Sequence, residues 1–171
     1  MNNSQKQFIE AYEKHSDALF RFCFFKLSDK ERAKDLLQET FSKAWEYVST
    51  KGGVDNLRAF LYKILSNLII DEYRKRKPVD SLEDLKDVGF DPSRDDTASW
   101  MNRIDGSKAI ILLLKIPEPY RSAIFMRYVQ GLSLGEIAEI TEENENAIAV
   151  RIHRGLDKLR KLYNREKREV K

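Results

Sequence analysis

From Gln5 to Leu27, Phe8, Tyr12, His15, Leu19 and Phe22 recur every three or four positions, and Ala11, Ala18 and Cys23 widen the stripe. That spacing puts them on one face of a helix, which completes a turn every 3.6 residues. The pattern breaks near Ser28, where Ser28-Asp29-Lys30-Glu31 has the form of a capping box: Ser28 accepts from a free backbone N–H and Glu31 reaches back. The second helix is expected to bury Ala33, Leu36, Leu37, Thr40, Phe41, Ala44, Trp45 and Val48, and to end at Lys51-Gly52-Gly53. Asp55 or Asn56 caps a third, with Leu57, Phe60, Leu61, Ile64, Leu65, Leu68 and Ile69 inward. It stops at Lys77-Pro78, because a residue preceding proline is disfavoured in the α region.

Helical periodicity returns after Gly106. One helix runs from about Ser107 to Ile116, closed by Pro117. The next covers about Pro119 to Gln130, burying Ile124, Phe125, Tyr128 and Val129, with Gly131 as a left-handed C-cap. Ser133-Leu134-Gly135-Glu136 repeats the capping-box pattern ahead of Ile137, Ala138 and Ile140. A turn over Thr141 to Glu143 follows, and Asn144 caps a last helix reaching Arg165 or beyond. Neither half contains an alternating run of β-branched residues, so the expected fold is all-α.

Residues 78–106 carry no sustained apolar period, and their Asp, Ser, Gly and Pro content favours turns. The expected organisation is a helical bundle over 1–77, an acidic linker over 78–106, and a helix-turn-helix domain over 107–171. The net charge of +3 on 171 residues says little until it is resolved along the chain. Residues 1–77 hold 15 Lys and Arg against 11 Asp and Glu, residues 78–106 hold 3 against 8, and residues 107–171 hold 13 against 9. Two basic halves flank an acidic middle.

Composition excludes several classes of function. No stretch approaches the roughly 18 uncharged apolar residues of a membrane span, and Met1 to Lys6 is polar with no apolar signal core behind it, so the expected compartment is the cytoplasm. A single Cys23 forms no intrachain disulfide, and two His supply no zinc site without carboxylates, so no metal is expected. No phosphate-cradling loop, nucleophile motif or His-Glu pair appears, which argues against an enzyme, a cofactor or a small-molecule substrate.

In the last helix Ile148, Ile152, Leu156, Leu159 and Tyr163 fall on one face, while Ala147, Arg151, Arg154, Lys158, Lys161 and Arg165 fall on another. Alone, this fits any terminal helix with a solvated charged face. Behind a short capped helix and a tight turn, it has the layout of a helix-turn-helix whose second helix enters the major groove. Arg151 and Arg154 suit phosphate or guanine, and Asn146 and Ala147 lie where base edges come within reach. On the third helix Lys63, Asn67, Asp71, Arg74 and Lys75, then Arg76 and Lys77, mix amide, carboxylate and cation. Residues alone favour an ordinary solvated face there, as they do for Asp35, Gln38, Glu39, Ser42 and Glu46 on the second helix.

Three motifs in series go further. Asp35-Leu36-Leu37-Gln38-Glu39-Thr40-Phe41-Ser42-Lys43-Ala44-Trp45 resembles the core-polymerase-binding stretch of bacterial sigma factors, in the extracytoplasmic-function group of the sigma-70 family. Asn56-Leu57-Arg58-Ala59-Phe60-Leu61-Tyr62-Lys63-Ile64-Leu65-Ser66-Asn67 and Asp71-Glu72-Tyr73-Arg74-Lys75-Arg76 resemble its -10-recognising segment. Ile116-Pro117-Glu118-Pro119-Tyr120-Arg121, Gly131-Leu132-Ser133-Leu134-Gly135-Glu136-Ile137-Ala138 and Asn146-Ala147-Ile148-Ala149-Val150-Arg151-Ile152-His153-Arg154 are similar to its -35-binding helix-turn-helix. Ala149 stands where many members carry Lys or Arg, Asn146 where many carry Gly, and Phe60 where Trp is frequent.

The resemblance implies an initiation factor whose partners are core RNA polymerase and promoter DNA, and for many members an anti-sigma factor. It implies polymerase binding by Asp35, Leu36, Gln38, Glu39 and Phe41, with Phe41 and Trp45 also holding the helix on its core. It assigns -10 DNA to Arg58, Lys63, Asn67, Asp71, Arg74, Lys75, Arg76 and Lys77. It assigns -35 DNA to Ser133, Asn144, Asn146, Ala147, Arg151, Arg154 and Lys158. A helix-turn-helix regulator that binds duplex DNA but not polymerase is the alternative, and it has no reason to carry the Asp35 to Trp45 motif.

Overall fold

The computed structural model of the chain describes residues 3–76 and 107–171. Lys77 and the predicted linker lie outside the described residues. The described residues are helical throughout, apart from turns: α1 (Asn3–Leu27), α2 (Lys30–Lys51), α3 (Leu57–Lys75), α4 (Ser107–Lys115), α5 (Tyr120–Ile124, continuing as a π-helical turn over Phe125–Val129), α6 (Leu134–Thr141) and α7 (Glu145–Glu169). None of these helices is long and apolar enough to cross a membrane. The chain divides into two compact units, one built around α1–α3, the other around α4, α5 and α7 with α6 up to Ala138.

In the first unit the three helices pack pairwise. Leu19, Phe22 and Cys23 of α1, Ala33 and Leu36 of α2, and Leu61, Tyr62, Leu65 and Ile69 of α3 form the core. Each fully buried aliphatic or aromatic side chain contributes about 1.5–3 kcal/mol through the apolar area it removes from water. Tyr62, absent from the predicted set, is only 1% exposed and meets the Phe22 ring edge-on at 5.5 Å. Leu57, Phe60, Ile64 and Leu68 are half-buried, at the margins of the same face.

The capping box predicted at Ser28 does not form. Ser28 takes a left-handed conformation (φ 53) and its N–H donates to Phe24 O at 2.8 Å, which closes α1. The N-cap of α2 is Asp29, whose carboxylate accepts from Arg32 N at 3.0 Å. Two residues therefore separate the helices, each finishing or starting one. Asn56 caps α3 through Ala59 N.

In the second unit α7 lies against α5 and α4. The predicted capping box at Ser133 is present, with Glu136 N donating to Ser133 Oγ at 3.1 Å and Ser133 N to Glu136 Oε2 at 2.8 Å. Gly131 holds φ 67, as its predicted C-cap position requires. Tyr128, predicted inward, is 62% exposed, and Val129 is only half-buried. The reason is the π turn: Gln130 N donates to Phe125 O, five residues back, which widens the turn and rotates later side chains off the α-helical register. Ala123 and Met126 take the inward places with Ile124 and Phe125.

The inward face of α7 also departs from prediction. Ile148, Ile152 and Gly155 are buried, Leu159 and Leu162 half-buried, and Tyr163 is 53% exposed. The stripe passes through Gly155 because α5 approaches closely there. A Cβ at that position would stand 2.7 Å from Ile124 Cδ1 and 3.1 Å from Tyr120 Cβ.

Candidate functional site

Each unit presents polar faces opposite its core. On α2, Asp35, Gln38 and Glu39 are exposed and adjacent, with Lys43 Nζ 3.7 Å from Glu39 one turn on. Leu36 and Phe41, predicted with them, point the other way, at 2% and 6% exposure. A helix buries one stripe and offers the opposite one, so these two residues orient the polar face without joining it. Phe41 packs on Tyr12 at 4.7 Å and Phe8 at 6.0 Å between ring centroids, and Trp45 lies 5.1 Å from Phe8 at the edge of the cluster.

On α3, Asn67, Asp71 and Arg74 follow one another at helical spacing, all exposed, and Arg74 Nη1 lies 3.6 Å from Asp71 Oδ1. Lys75 is exposed beside them, while Arg58 and Lys63 are half-buried nearer the start of the helix. Arg76 turns back into the unit: it lies 3.6 Å from Glu72 and 3.9 Å from Asp29. Glu72 is the centre of this group, with Arg32 Nη2 donating to its Oε2 at 2.6 Å. That hydrogen bond holds the Glu72 carboxyl below the usual range, against the opposing effect of burial, and the Arg32 and Arg76 charges add to it. The Arg32–Glu72 pair was not foreseen, because α2 and α3 meet there only after folding. Nearby, burial raises the Cys23 thiol to about 12, so it stays protonated and unreactive in the core.

The second unit holds a helix with a capped start and a cationic face. Asn144 Oδ1 accepts from Ala147 N at 2.8 Å, and with the Ser133–Glu136 box it fixes where α6 and α7 begin. The side-chain oxygens of both predicted -35 residues, Ser133 and Asn144, are thus engaged as caps. Beyond them Pro119, Tyr120, Asn146, Ala147, Val150, Arg151 and Arg154 line a shallow groove along the first turns of α7. Asn146, Val150 and Arg154 stand four residues apart and are all exposed, Val150 at 49%. Lys158 Nζ sits over the Tyr120 ring, 5.3 Å from its centroid.

Arg151, predicted as a DNA contact, is engaged within the protein. Its Nη1 and Nη2 donate to the two Glu143 carboxylate oxygens at 2.7 and 2.5 Å, and this hydrogen bonding lowers the Glu143 pKa. Sequence reasoning missed Tyr120 and Val150 in this groove. Val150 was legible in principle, since it is four residues from Asn146 and from Arg154 and so falls on their face, whereas Tyr120 comes from another helix.

Residues 11–79 match the family described as Sigma-70 region 2, and residues 112–159 match that described as Sigma-70, region 4. The chain is 29% identical over 167 residues to the ECF RNA polymerase sigma factor SigW of Bacillus subtilis (strain 168), covering 92% of this chain and 89% of that protein. It is 30% identical over 146 residues to RNA polymerase sigma factor SigV of the same organism, covering 85% and 84%. Among solved structures, the sigma factor RpoE from Bartonella quintana, crystallised with the anti-sigma factor NepR, superposes with a TM-score of 0.69 at 24% identity over 93% of this chain and 98% of that one. CnrH, in complex with the cytosolic domain of CnrY, superposes at 0.68 and 22% identity over 94% and 89%.

Proposed function

We propose, because the chain belongs to the sigma-70 family and to its extracytoplasmic-function group, that its two helical units divide promoter recognition between them. Members of this family bind core RNA polymerase and direct it to promoters, and this chain is such a sigma factor. The polymerase makes the bonds of the transcript. This chain contributes positioning and binding free energy, and its compartment is the cytoplasm, where the polymerase works.

On this reading residues 1–77 carry the polymerase and -10 contacts, residues 78–106 form the linker, and residues 107–171 carry the -35 reader. Asp35, Gln38 and Glu39 face the polymerase, and Leu36 and Phe41 hold that face in place. Asn67, Asp71, Arg74 and Lys75 face the -10 strand, with Arg58 and Lys63 on its path, and Lys77, outside the described residues, is assigned to the same DNA. Opening the duplex costs a few kcal/mol per extruded base, and stacking and electrostatic contacts recover about 1–3 kcal/mol per base, so melting requires the polymerase as well. Asn146, Ala147, Arg154 and Lys158 meet the -35 duplex. An anti-sigma factor is the expected regulator, since two proteins of this fold are seen bound to one or to a cytosolic partner domain.

The observation that carries the -35 assignment is the exposed Asn146–Val150–Arg154 row on a helix whose start is fixed by the Asn144 cap. Run-off transcription with purified core polymerase on a promoter library tests the whole reading. The expected result is transcript from a subset of promoters sharing a -35 and a -10 element, and only when the protein is added. DNA binding without polymerase-dependent transcripts would instead indicate a regulator that does not engage core.

A further inference from the structure

Two cations of the α7 groove differ in what surrounds them. Arg154 is exposed and pairs with no carboxylate among the described residues, whereas Arg151 is held by both oxygens of Glu143 and its side chain is 20% exposed. Two parallel N–H···O bonds make this a fork-to-fork pair, the geometry that fixes a guanidinium most firmly. Glu143 belongs to the turn before the N-cap Asn144, and Arg151 to the second turn of α7. The pair therefore bridges eight residues, and Asn146, Ala147 and Val150 lie within the span.

From this geometry we infer that Glu143 is a positioning residue of the -35 reader: it ties Arg151 into the turn, so that the pair sets the pose of α7 and Arg151 neutralises no phosphate. The inference rests on the reading of α7 as the -35 element. Binding to DNA weakens with salt according to how many phosphates the protein's cations neutralise. A guanidinium already carrying its own carboxylate adds nothing to that count. Asn146 and Val150 are then presented from a braced turn, and the electrostatic grip comes from Arg154 and Lys158.

The test measures binding of the holoenzyme, assembled from the full chain and core polymerase, to a duplex carrying the -35 element, between 50 and 200 mM salt. Each phosphate contact contributes about 0.9 to the logarithmic salt slope, or roughly 3.5-fold in affinity over that fourfold range. Arg154→Gln is expected to flatten the slope by about one contact. Arg151→Gln is expected to leave it unchanged while lowering the preference for the -35 duplex over a scrambled one. Glu143→Gln is expected to steepen it by about one contact, as the released guanidinium reaches the backbone. A slope that falls in Arg151→Gln as it does in Arg154→Gln, or that stays the same in Glu143→Gln, overturns the inference. If Arg151→Gln does not fold, Glu143→Gln decides alone, since glutamine keeps the shape of the glutamate. A slope that none of the three variants moves removes the -35 reading of α7, and the inference with it.

Discussion

Among the described glycines, Gly155 carries the tightest steric constraint. A methyl group there meets Ile124 Cδ1 at 2.7 Å and Tyr120 Cβ at 3.1 Å. The first is the end of a flexible side chain and can move, but the second is anchored to the backbone of α5. Alanine recovers about 0.5–1 kcal/mol of helix propensity, whereas overpacking costs about 1–3 kcal/mol, so Gly155→Ala is expected to destabilise by about 1 kcal/mol in urea unfolding. Glu72 gives a second prediction. Its pKa is lowered by the Arg32 hydrogen bond, so its stabilisation is complete above the unfolded value of about 4.3 and is lost as pH falls through the lower native value. The melting temperature should hold from neutral pH to about 5 and drop below about 4. Glu72→Gln should shrink that acid-induced drop and cost about 1–2 kcal/mol at neutral pH, between the values for exposed and buried pairs.

Helix ends decide how the second unit presents its reader. Asn144→Ala removes the acceptor for Ala147 N and is expected to cost about 1 kcal/mol of stability, measured by thermal melting, with weaker transcription from -35-dependent promoters. Caps also show which parts of the fold were legible in the sequence. The same Ser-x-x-Glu pattern occurs at Ser28 and at Ser133, yet only the second is a capping box. At Ser28 the preceding helix claims the residue for its own left-handed closure, and Asp29 becomes the cap. Periodicity located each helix among the described residues, because burial demands it, but it assumes 3.6 residues per turn. The π turn after Ile124 breaks that assumption, which is why Tyr128 emerged on the surface. Gly155 was the overlooked signal on α7: a glycine inside a helix weakens it, and its presence marks a close approach. The candidate site was legible where exposure follows from helical spacing, as for Asn67, Asp71 and Arg74. It was not legible where a cation's partner comes from another element, as for Arg32 with Glu72 and Arg151 with Glu143.

Among the described residues, the polar side chains proposed to face polymerase and DNA lie on stripes opposite the cores that hold them. Function and fold are therefore separable by mutation. Glu39→Lys changes an exposed residue 47% open at its side chain, so it should leave the melting temperature within about 1 °C while abolishing pull-down of core polymerase. Normal pull-down by this variant would remove Glu39 from the interface. Charge reversal is the stronger choice over Ala here, because it adds repulsion to a docking surface where truncation only removes a contact.

The row formed by Asn146, Val150 and Arg154 has a further consequence. None of the three contributes to the core, and four-residue spacing keeps them on one line along the helix. On the proposed -35 reading, an exchange at Asn146 or Val150 alters hydrogen-bond donors, acceptors or methyl contacts toward base edges and leaves packing untouched, while Arg154 keeps its hold on the backbone. Such a row is an exchangeable key. A duplicated gene could diverge there toward a different set of promoters in a few single-residue steps, each yielding a folded protein, and an engineer wanting an orthogonal initiation factor would randomise Asn146 and Val150 first.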